Sequence, residues 1–562
     1  MQLTAPQILS VEHLQISFAG TESLLAVNKI SFQLDAGKTL AIVGESGSGK
    51  SLTALALMGL LPKAATVSGN MQLNAANRQY QLQNTEATAA HKLRGKEISM
   101  VFQEPMSSLN PIMRIGKQLS ECIRVHQNVG EPEAENIAVE WLRKVQLPDT
   151  GNLYKRFPHQ LSGGQKQRVM IAMAMCNHPV LLIADEPTTA LDVTVQKEIM
   201  VLMRSLQQEH NTAMIFITHD LSLAAETADE VMVMYKGEVV EYGSTEQVLK
   251  APQNAYTKAL LACRPSPGQK GHRLPIVSDF LGPNDGQNML KQVLQPISEP
   301  TSTPLLQVSN LRIWFTENKD LFGKPLSYFK AVDDVSFTLH KGEILGLVGE
   351  SGCGKSTLSR SLIGLLSVHE GQVLFNNEDL AQLHKGWSKV RRQIQMIFQD
   401  PFASLNPRMT IGDMLREPMQ AHNIVPRSHL QKESERLLDI VHLPASSLER
   451  YPHQFSGGQR QRLGIARALA LRPQLLICDE SVSALDVSVQ AQILNLLKEL
   501  QQEFQLSYLF ISHDLNVVHY ISDRVMVMQA GKIVEAGDAE QVLKHPANDY
   551  TKKLIASIPV VK

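Results

Sequence analysis

The chain carries one set of short motifs twice, and this duplication constrains its fold more than any other feature. GESGSGKS at Gly44–Ser51 returns as GESGCGKS at Gly349–Ser356, and LSGGQ at Leu161–Gln165 returns as FSGGQ at Phe455–Gln459. A chain of 562 residues also exceeds the length over which one hydrophobic core keeps growing. The sequence therefore predicts two domains with the same fold.

The segment between the copies differs from both in composition. Residues 264–304 are rich in Pro, Gly and Ser and show no sustained periodicity, which is typical of a linker. We therefore predict a first domain over 1–263 and a second over 305–562. A short helix over Asn288–Leu294 is compatible with the local sequence of the linker.

Composition and charge exclude several classes of protein. Lys and Arg number 54 and Asp and Glu number 55, so no basic field for nucleic acid is present. The longest apolar runs, such as Pro179–Ala184, are far shorter than a bilayer requires, and the first residues lack the pattern of a secretory signal. Five scattered cysteines without a CxxC pair predict buried, reduced thiols and a cytoplasmic setting.

Each Gly-rich motif fits the requirements of a phosphate-binding loop. The pattern G-x-x-x-x-G-K-[ST] supplies backbone N–H groups, a cation and a hydroxyl that can bind Mg²⁺. Both copies follow an apolar run that predicts a strand, Thr39–Val43 and Ile344–Val348, and open a segment that predicts a helix. We expect the two lysines to bind the β- and γ-phosphates and the two serines to bind Mg²⁺. The loop residues are Gly44, Gly47, Gly49, Lys50, Ser51, Gly349, Gly352, Gly354, Lys355 and Ser356.

Two further apolar runs, PVLLIADE and PQLLICDE, each end in a pair of carboxylates. This form predicts a buried parallel strand that delivers acids at the edge of the sheet where ligands bind. Successive side chains of a strand point in different directions. We therefore expect Asp185 and Asp479 to support Mg²⁺, and Glu186 and Glu480 to act as bases on an attacking water.

With LSGGQ and FSGGQ added to these motifs, both halves resemble the ATP-binding cassette (ABC) ATPase superfamily almost end to end. The resemblance implies an α/β fold with two RecA-like phosphate-loop domains, each with an antiparallel β subdomain and a helical subdomain. It also implies ATP hydrolysis with Mg²⁺. Periodicity at Ile137, Trp141, Leu142 and Val145 predicts a helix of the helical subdomain.

In this family two ATPase domains pack head to tail, and each nucleotide lies between the phosphate loop of one and the signature motif of the other. The resemblance therefore implies that Lys50, Asp185 and Glu186 share a site with the second signature motif. The site of Lys355, Asp479 and Glu480 would in turn include the first signature motif. The signature residues are Ser162, Gly163, Gly164, Ser456, Gly457 and Gly458.

Other residues match family positions in the expected order. Phe18 and Phe315 resemble the aromatic residue that stacks on adenine, with Trp314 as a competitor for the second position. The remaining matches are the Q-loop glutamines, which also belong to the predicted Mg²⁺ site, the histidines that hold the γ-phosphate, and the D-loop aspartates. They are Gln103, Gln399, His219, His513, Asp192 and Asp486.

Local features resemble the peptide/nickel importer subfamily. EPMSSLNP and DPFASLNP follow the Q-loop glutamines, and the halves end in AYTKALL and DYTKKLI. The closest resemblance is to fused ATPases of bacterial peptide, glutathione or microcin-type uptake systems. It implies two membrane permeases and a periplasmic binding protein as partners, and a peripheral position on the cytoplasmic face of the inner membrane.

Two other functions share the double cassette: a duplicated ABC ATPase acting on ribosomes, and the ATPase of an exporter. The linker lacks the long charged helix expected of the first, and the subfamily features disfavour the second. DEPTTALD in the first half becomes DESVSALD in the second, at Ser481 and Val482, and GKSLT becomes GKSTL. If these differences make the sites unequal, Lys50→Ala and Lys355→Ala should affect ATPase activity differently.

Overall fold

We describe the fold from a computed structural model, which covers residues 6–19, 24–75, 78–84, 92–103, 108–189, 191–281, 303–320, 322, 324–382, 387–483 and 485–558. The described residues form two units. Unit 1 lies chiefly within Met1–Leu261, and unit 2 consists chiefly of Ala262–Asp279 and residues within Asn284–Ile558. The helix predicted over Asn288–Leu294 lies outside the described residues.

Unit 1 contains an antiparallel sheet and a mostly parallel sheet. The strands are β1 Gln7–Phe18, β2 Leu24–Asp35, β3 Thr39–Val43, β4 Ala65–Ala75, β5 Arg78–Gln81, β6 Ile98–Val101, β7 Leu181–Asp185, β8 Ala213–Thr218, β9 Glu230–Tyr235 and β10 Glu238–Ser244. The strand orders are β2-β1-β4-β5 and β10-β9-β3-β8-β7-β6. In the second sheet only β10 runs antiparallel to its neighbour.

The described helices of unit 1 are α1 Lys50–Leu57, α2 Ile115–Gln127, α3 Glu131–Lys144, α4 Thr150–Lys155, α5 Gly163–Met175, α6 Val193–His210, α7 Leu221–Thr227, α8 Thr245–Lys250 and α9 Ala255–Ala262. Helices α2, α3 and α4 lie between the Q-loop and the signature motif, as predicted for the helical subdomain. Trp141, Leu142 and Val145 are buried there.

Unit 2 repeats this architecture. Its strands are β11 Pro304–Lys319, β12 Pro325–His340, β13 Ile344–Val348, β14 Glu370–Phe375, β15 Glu378–Asp379, β16 Ile394–Ile397, β17 Leu475–Asp479, β18 Ser507–Ile511, β19 Arg524–Gln529 and β20 Lys532–Asp538. The orders β12-β11-β14-β15 and β16-β17-β18-β13-β19-β20 match those of unit 1.

The remaining described helices begin with one from the predicted linker, whose residues 277–279 belong to unit 2, and the others lie in unit 2. They are α10 Val277–Leu281, α11 Lys355–Leu362, α12 Trp387–Gln393, α13 Pro401–Ser404, α14 Ile411–Ala421, α15 Leu430–Ile440, α16 Gly457–Leu469, α17 Val487–Phe504, α18 Leu515–Ile521, α19 Ala539–Lys544 and α20 Asp549–Ala556.

The central strands are buried along their whole length. Every residue of β3, β7 and β8 in unit 1, and of β13, β17 and β18 in unit 2, is buried. Strands that are covered on both faces consist of continuous apolar residues, so their positions could be predicted from the sequence. Strands β3 and β13 have the predicted bounds. One hydrophobic core in each unit joins both sheets to the helix that follows the phosphate loop.

Part of the predicted linker is packed against unit 2. Leu274 is fully buried, and its backbone N–H and C=O pair with the side-chain amide of Asn495 on α17, at 2.9 and 2.8 Å. The Tyr520 hydroxyl on α18 donates to the carbonyl of His272 at 2.9 Å. The segment is anchored because Asn495 satisfies two buried backbone groups that would otherwise be unpaired.

Candidate active sites

Both Gly-rich motifs form a tight loop between a strand and a helix, in the predicted context. In unit 1 a Cβ on Gly44 would lie 2.2 Å from the carbonyl oxygen of Met234, and Gly49 adopts a φ of +103°. Only glycine tolerates both the close approach and the left-handed backbone. Gly349 and Gly354 repeat these constraints, with a Cβ on Gly349 lying 2.2 Å from the carbonyl of Met528.

The loop lysines are buried and point back across their own loops. Lys50 Nζ donates to the carbonyls of Gly44 and Glu45, both at 2.8 Å. Lys355 Nζ donates to Gly349 and Glu350 at 2.8 and 2.9 Å. A buried ammonium beside the N-terminus of a helix is suited to an anionic group such as a phosphate.

A serine hydroxyl and an aspartate carboxylate meet beside each loop. Ser51 Oγ donates to Asp185 Oδ1 at 3.1 Å, and Ser356 Oγ donates to Asp479 Oδ1 at 3.1 Å. Burial raises the pKa of Asp185 to about 6, although the Ser51 hydrogen bond acts in the opposite direction. Burial also raises the pKa of Asp479. A buried carboxylate with a raised pKa is one that a nearby cation would stabilise in its charged form.

Glu186 has a strained backbone that the alternation of a strand does not predict. Strand β7 ends at Asp185, and Glu186 adopts a φ of +47°, while its N–H still donates to the carbonyl of Ile217 at 3.0 Å. Glu480 has the same φ, and its N–H donates to Ile511 at 2.9 Å. A left-handed non-glycine residue costs on the order of 1–3 kcal/mol and is concentrated at functional sites.

Three donors converge on one oxygen of Glu186. Oε2 accepts from Gln103 Nε2 at 3.0 Å and Thr189 Oγ1 at 2.9 Å, and lies 3.3 Å from His219 Nδ1. Burial acts to raise the pKa of Glu186, but the hydrogen bonds from His219 and Thr189 outweigh it and lower the pKa to about 2. Burial acts to lower the pKa of His219, and Glu186 reverses this, so the pKa of His219 is raised.

In the second half the corresponding residues surround Glu480, but one of the three donors binds a different acceptor. Gln399 Nε2 donates to Glu480 Oε2 at 2.8 Å, and His513 Nδ1 lies 3.6 Å from that oxygen. Ser483, which corresponds to Thr189, donates to the backbone carbonyl of Glu480 at 2.9 Å. The carboxylate of Glu480 therefore has a different hydrogen-bond environment from that of Glu186. Sequence reasoning missed Thr189, although it belongs to the quoted motif DEPTTALD.

Each signature motif opens a helix. Ser162 caps α5: its Oγ accepts from the N–H of Gln165 at 3.3 Å, and its own N–H donates to Gln165 Oε1 at 3.1 Å. A Cβ on Gly164 would lie 2.7 Å from Val195, whereas the described residue nearest to a Cβ on Gly163 is Leu191, at 3.6 Å. Packing therefore explains Gly164, while Gly163 keeps the approach to the helix end open.

The second signature motif has the same geometry. Ser456 caps α16 through the equivalent pair of bonds with Gln459. A Cβ on Gly458 would lie 2.3 Å from Val489, and one on Gly457 would be 4.0 Å from Leu485. The D-loop aspartates Asp192 and Asp486 cap α6 and α17, the helices on which these glycines pack.

The predicted adenine-stacking aromatics have different environments. Phe18, at the end of β1, packs against the core of unit 1. Phe315 is 42% exposed. The competitor Trp314 stacks on His369 with ring centroids 4.6 Å apart, and Lys330 Nζ lies 4.8 Å from its ring. The geometry leaves Phe315 the more accessible of the two aromatic rings of this strand.

The donor set beside each loop suits a hard cation. A serine hydroxyl, an aspartate carboxylate and a glutamine amide are the oxygen ligands that Mg²⁺ prefers. Within the described residues, no cluster of three or more His, Cys, Asp or Glu side chains could hold a metal ion. In the described part of the chain, no helix has the length and apolar character needed to cross a bilayer.

Comparison with known proteins places this site in a family. The family model described as ABC transporter matches residues 27–189 and 332–483. The model described as oligopeptide/dipeptide transporter, C-terminal region, matches residues 240–280 and 534–562. The chain therefore belongs to the ABC transporter ATPase family, with two fused ATP-binding domains, each followed by a segment of the oligopeptide/dipeptide type. It is an ATPase of this type.

Relatives match the chain over its whole length. The glutathione import ATP-binding protein GsiA of Shigella dysenteriae serotype 1 is 48% identical over 574 residues, covering 100% of this chain and 91% of the relative. The protein of the same name from Escherichia coli K12 is 47% identical with the same coverage.

A solved structure of the ATP-binding cassette MJ0796, a dimer in a post-hydrolysis state bound to ADP and Pi, is also similar. It is 26% identical and covers 42% of this chain and 98% of its own, with a TM-score of 0.38.

Proposed function

We propose that this chain hydrolyses ATP at two composite sites formed by head-to-tail association of its ATPase domains. We further propose that hydrolysis drives the import of small peptides through separate membrane permeases. The observation that carries the import proposal is the full-length identity of 47–48% with glutathione import ATP-binding proteins, together with the C-terminal segments of the oligopeptide/dipeptide type. Glutathione is the first substrate to test.

One composite site would combine Lys50, Ser51 and Glu186 with the signature residues Ser456 and Gly457. The other would combine the matching residues of unit 2 with Ser162 and Gly163. Two features support this pairing. Each signature serine caps an exposed helix N-terminus, which favours an anion. Among the described residues, a Cβ on the first glycine of each motif would find no neighbour closer than 3.6 Å, so a γ-phosphate could approach the backbone N–H groups.

Binding of ATP would redirect the loop lysine. Lys50 has three protons, two of which are donated to loop carbonyls. The protons released when the loop carbonyls are exchanged for phosphate oxygens would serve the β- and γ-phosphates. Ser51, Asp185 and the amide oxygen of Gln103 would hold Mg²⁺, which supplies charge neutralisation on the phosphates when it is bound.

Glu186 would then orient the attacking water and accept its proton. The water oxygen forms a bond to the γ-phosphorus while the bond from that phosphorus to the ADP oxygen breaks. Oε2 of Glu186 accepts from Gln103 and Thr189 and lies 3.3 Å from His219, so departure of His219 would give this oxygen room to accept the proton. Transfer of His219 to the γ-phosphate would free the carboxylate at the moment when substrate is bound.

The ATPase proposal is tested with Glu186→Gln and Glu480→Gln in the purified full chain. Each variant should retain ATP binding and lose hydrolysis at its own site, and the double variant should lose it by at least 100-fold. Glu503→Gln, an exposed residue of α17, is the matched control and should behave as wild type. Unchanged hydrolysis in the double variant would contradict the assignment of the two glutamates.

The import proposal is tested by uptake of radiolabelled glutathione into cells that lack the chromosomal gene. Wild-type chain should restore uptake, and the double variant Lys50→Ala, Lys355→Ala should not. The tagged chain should co-purify from membranes with two permeases. A chain that sediments with ribosomes and never with membranes would instead favour the ribosome-associated alternative, and uptake independent of both lysines would contradict import driven by this chain.

A further inference from the structure

We propose that Tyr256 and Tyr550 are positioning residues of the two phosphate loops. This inference rests on the proposed assignment of those loops to ATP. The Tyr256 hydroxyl accepts a hydrogen bond from the backbone N–H of Glu45 at 3.2 Å, and the Tyr550 hydroxyl accepts one from Glu350 at 3.1 Å. Glu45 and Glu350 are the second residues of their loops, so the contact reaches the ATP-binding motif itself.

The tyrosine bond acts on a peptide group that the catalytic lysine also holds. The carbonyl of Gly44 and the N–H of Glu45 belong to one planar peptide unit. Lys50 binds its oxygen at 2.8 Å, and Tyr256 binds its N–H. When phosphate draws Lys50 away from the carbonyl, the tyrosine bond remains to keep the peptide plane in its orientation. Lys355 and Tyr550 hold the peptide between Gly349 and Glu350 in the same manner.

A rigid support holds Tyr256 in place. The carboxylate of Glu241, on β10, accepts from the N–H groups of Gln253 and Asn254 at 2.7 and 3.3 Å. The side chain of Asn254 in turn accepts from the N–H of Tyr256 at 2.8 Å and donates to the carbonyl of Val240 at 3.2 Å. The start of α9 is therefore fixed to the sheet. Tyr256 itself is 1% exposed, and its hydroxyl contacts the loop.

The second half repeats this support, with a glutamate, an asparagine and a tyrosine at the corresponding positions. Glu535, on β20, accepts from the N–H groups of Ala547 and Asn548 at 2.7 and 3.2 Å. Asn548 accepts from the N–H of Tyr550 at 2.8 Å. Both tyrosines lie in the segments that match the oligopeptide/dipeptide C-terminal region, 240–280 and 534–562. Because the same hydrogen bond to the phosphate loop occurs in both units, we infer a role of these tyrosines at the loop in addition to packing.

The surroundings of the two tyrosines differ: Tyr256 is buried, whereas Tyr550 is half-buried. The ring of Tyr256 packs on Tyr235, with centroids 4.3 Å apart, whereas Gln529 occupies the position corresponding to Tyr235 in unit 2. Replacement by phenylalanine preserves ring packing in both units and removes only the oxygen that accepts the loop N–H. Tyr→Phe is therefore the substitution that separates the hydrogen bond from the packing.

The test measures equilibrium binding of a fluorescent ATP analogue to the full chain, in a Lys355→Ala background that leaves the first loop intact. Tyr256→Phe should weaken binding between about twofold and tenfold, the range for one neutral hydrogen bond. In hydrolysis the KM for ATP should rise by the same factor while kcat stays within about twofold. Tyr550→Phe should behave likewise in a Lys50→Ala background.

Tyr242→Phe is the matched control, since Tyr242 lies in the same C-terminal segment and its hydroxyl donates to the exposed carboxylate of Glu230. It should leave binding unchanged. A midpoint of thermal unfolding equal to that of the background shows that a variant is folded. Binding unaffected by both Tyr256→Phe and Tyr550→Phe would overturn the inference.

A second comparison separates this inference from the assignment of the loops. Lys50→Ala, in an otherwise wild-type chain, should abolish binding at the first site. If Lys50→Ala abolishes that binding and Tyr256→Phe has no effect, only the positioning role fails. If the Lys50→Ala variant still binds the ATP analogue at the first site, the assignment of the loop itself is wrong.

Discussion

The Thr189 hydroxyl donates to the carboxylate of Glu186 at 2.9 Å, whereas its counterpart Ser483 donates to the backbone carbonyl of Glu480. Both donors follow their glutamate by three residues, yet only the threonine touches the proposed catalytic group. The exchange of DEPTTALD for DESVSALD therefore has a structural consequence at the site. The two halves should differ in how tightly they hold this carboxylate.

Thr189→Ala should lower the hydrolysis rate of the first site by about tenfold, since hydrogen bonds to charged groups are worth roughly 1.5–3 kcal/mol and rearrangement recovers part of that loss. The rate is measured in a Glu480→Gln background, where turnover depends on Glu186. Ser483→Ala in a Glu186→Gln background is the matched control and should change the rate by less than about twofold. Equal losses in both variants would contradict the asymmetry.

Asn495→Ala should release the anchored part of the linker. The substitution leaves the buried N–H and C=O of Leu274 unpaired, at a cost of about 1–3 kcal/mol for each group. We expect limited trypsin treatment to cleave at Arg264, Lys270 or Arg273 at least tenfold faster than in wild type. Glu503→Ala, on the exposed face of the same helix, is the control. Unchanged protection of residues 264–281 would show that Asn495 does not hold this segment.

Lys498, on α17, should make the free energy of unfolding depend on pH in the alkaline range. Burial lowers its pKa from 10.5 to about 8. Between these values the unfolded chain binds the proton more strongly than the folded chain, so the free energy of unfolding contributed by Lys498 rises with pH. From about pH 7.5 to 9.5 the difference in stability between wild type and Lys498→Met should shift by roughly 1–2 kcal/mol in favour of wild type.

The measurement is urea unfolding of wild type and Lys498→Met at both pH values. The transition that is followed is the unfolding of the domain that contains Lys498. Lys389→Met, at an exposed lysine, is the control and should show no shift relative to wild type. A stability difference that is constant across this pH range would mean that Lys498 titrates normally in the folded chain.

Sequence reasoning succeeded where local composition determines the structure. The fully buried strands Thr39–Val43 and Ile344–Val348 are continuous apolar runs, and the structure has them with the predicted bounds. The pairing of Ser51 with Asp185 also followed, since the carboxyl ends of parallel strands share one edge of the sheet.

It failed where the structure depends on distant partners. The left-handed backbone of Glu186 arises because Asp185 ends the strand while the next N–H still pairs with Ile217, and no residue type signals this. The anchoring of Leu274 requires Asn495, far along the chain, which no local pattern connects with the linker. Tyr256 belonged to a recognised motif, but its contact with Glu45 appears only when α9 is placed beside the loop.

The central claim is that each nucleotide site borrows its signature motif from the other half of the chain. Its most direct test is disulfide formation between an introduced cysteine at Ser162 and one in either phosphate loop, with Cys353→Ser and the other native cysteines replaced. The account predicts that Ser162→Cys with Ser351→Cys forms a cross-link that ATP enhances in a Glu186→Gln, Glu480→Gln background. It predicts none for Ser162→Cys with Ser46→Cys. An ATP-enhanced cross-link to Ser46→Cys, with none to Ser351→Cys, would contradict it.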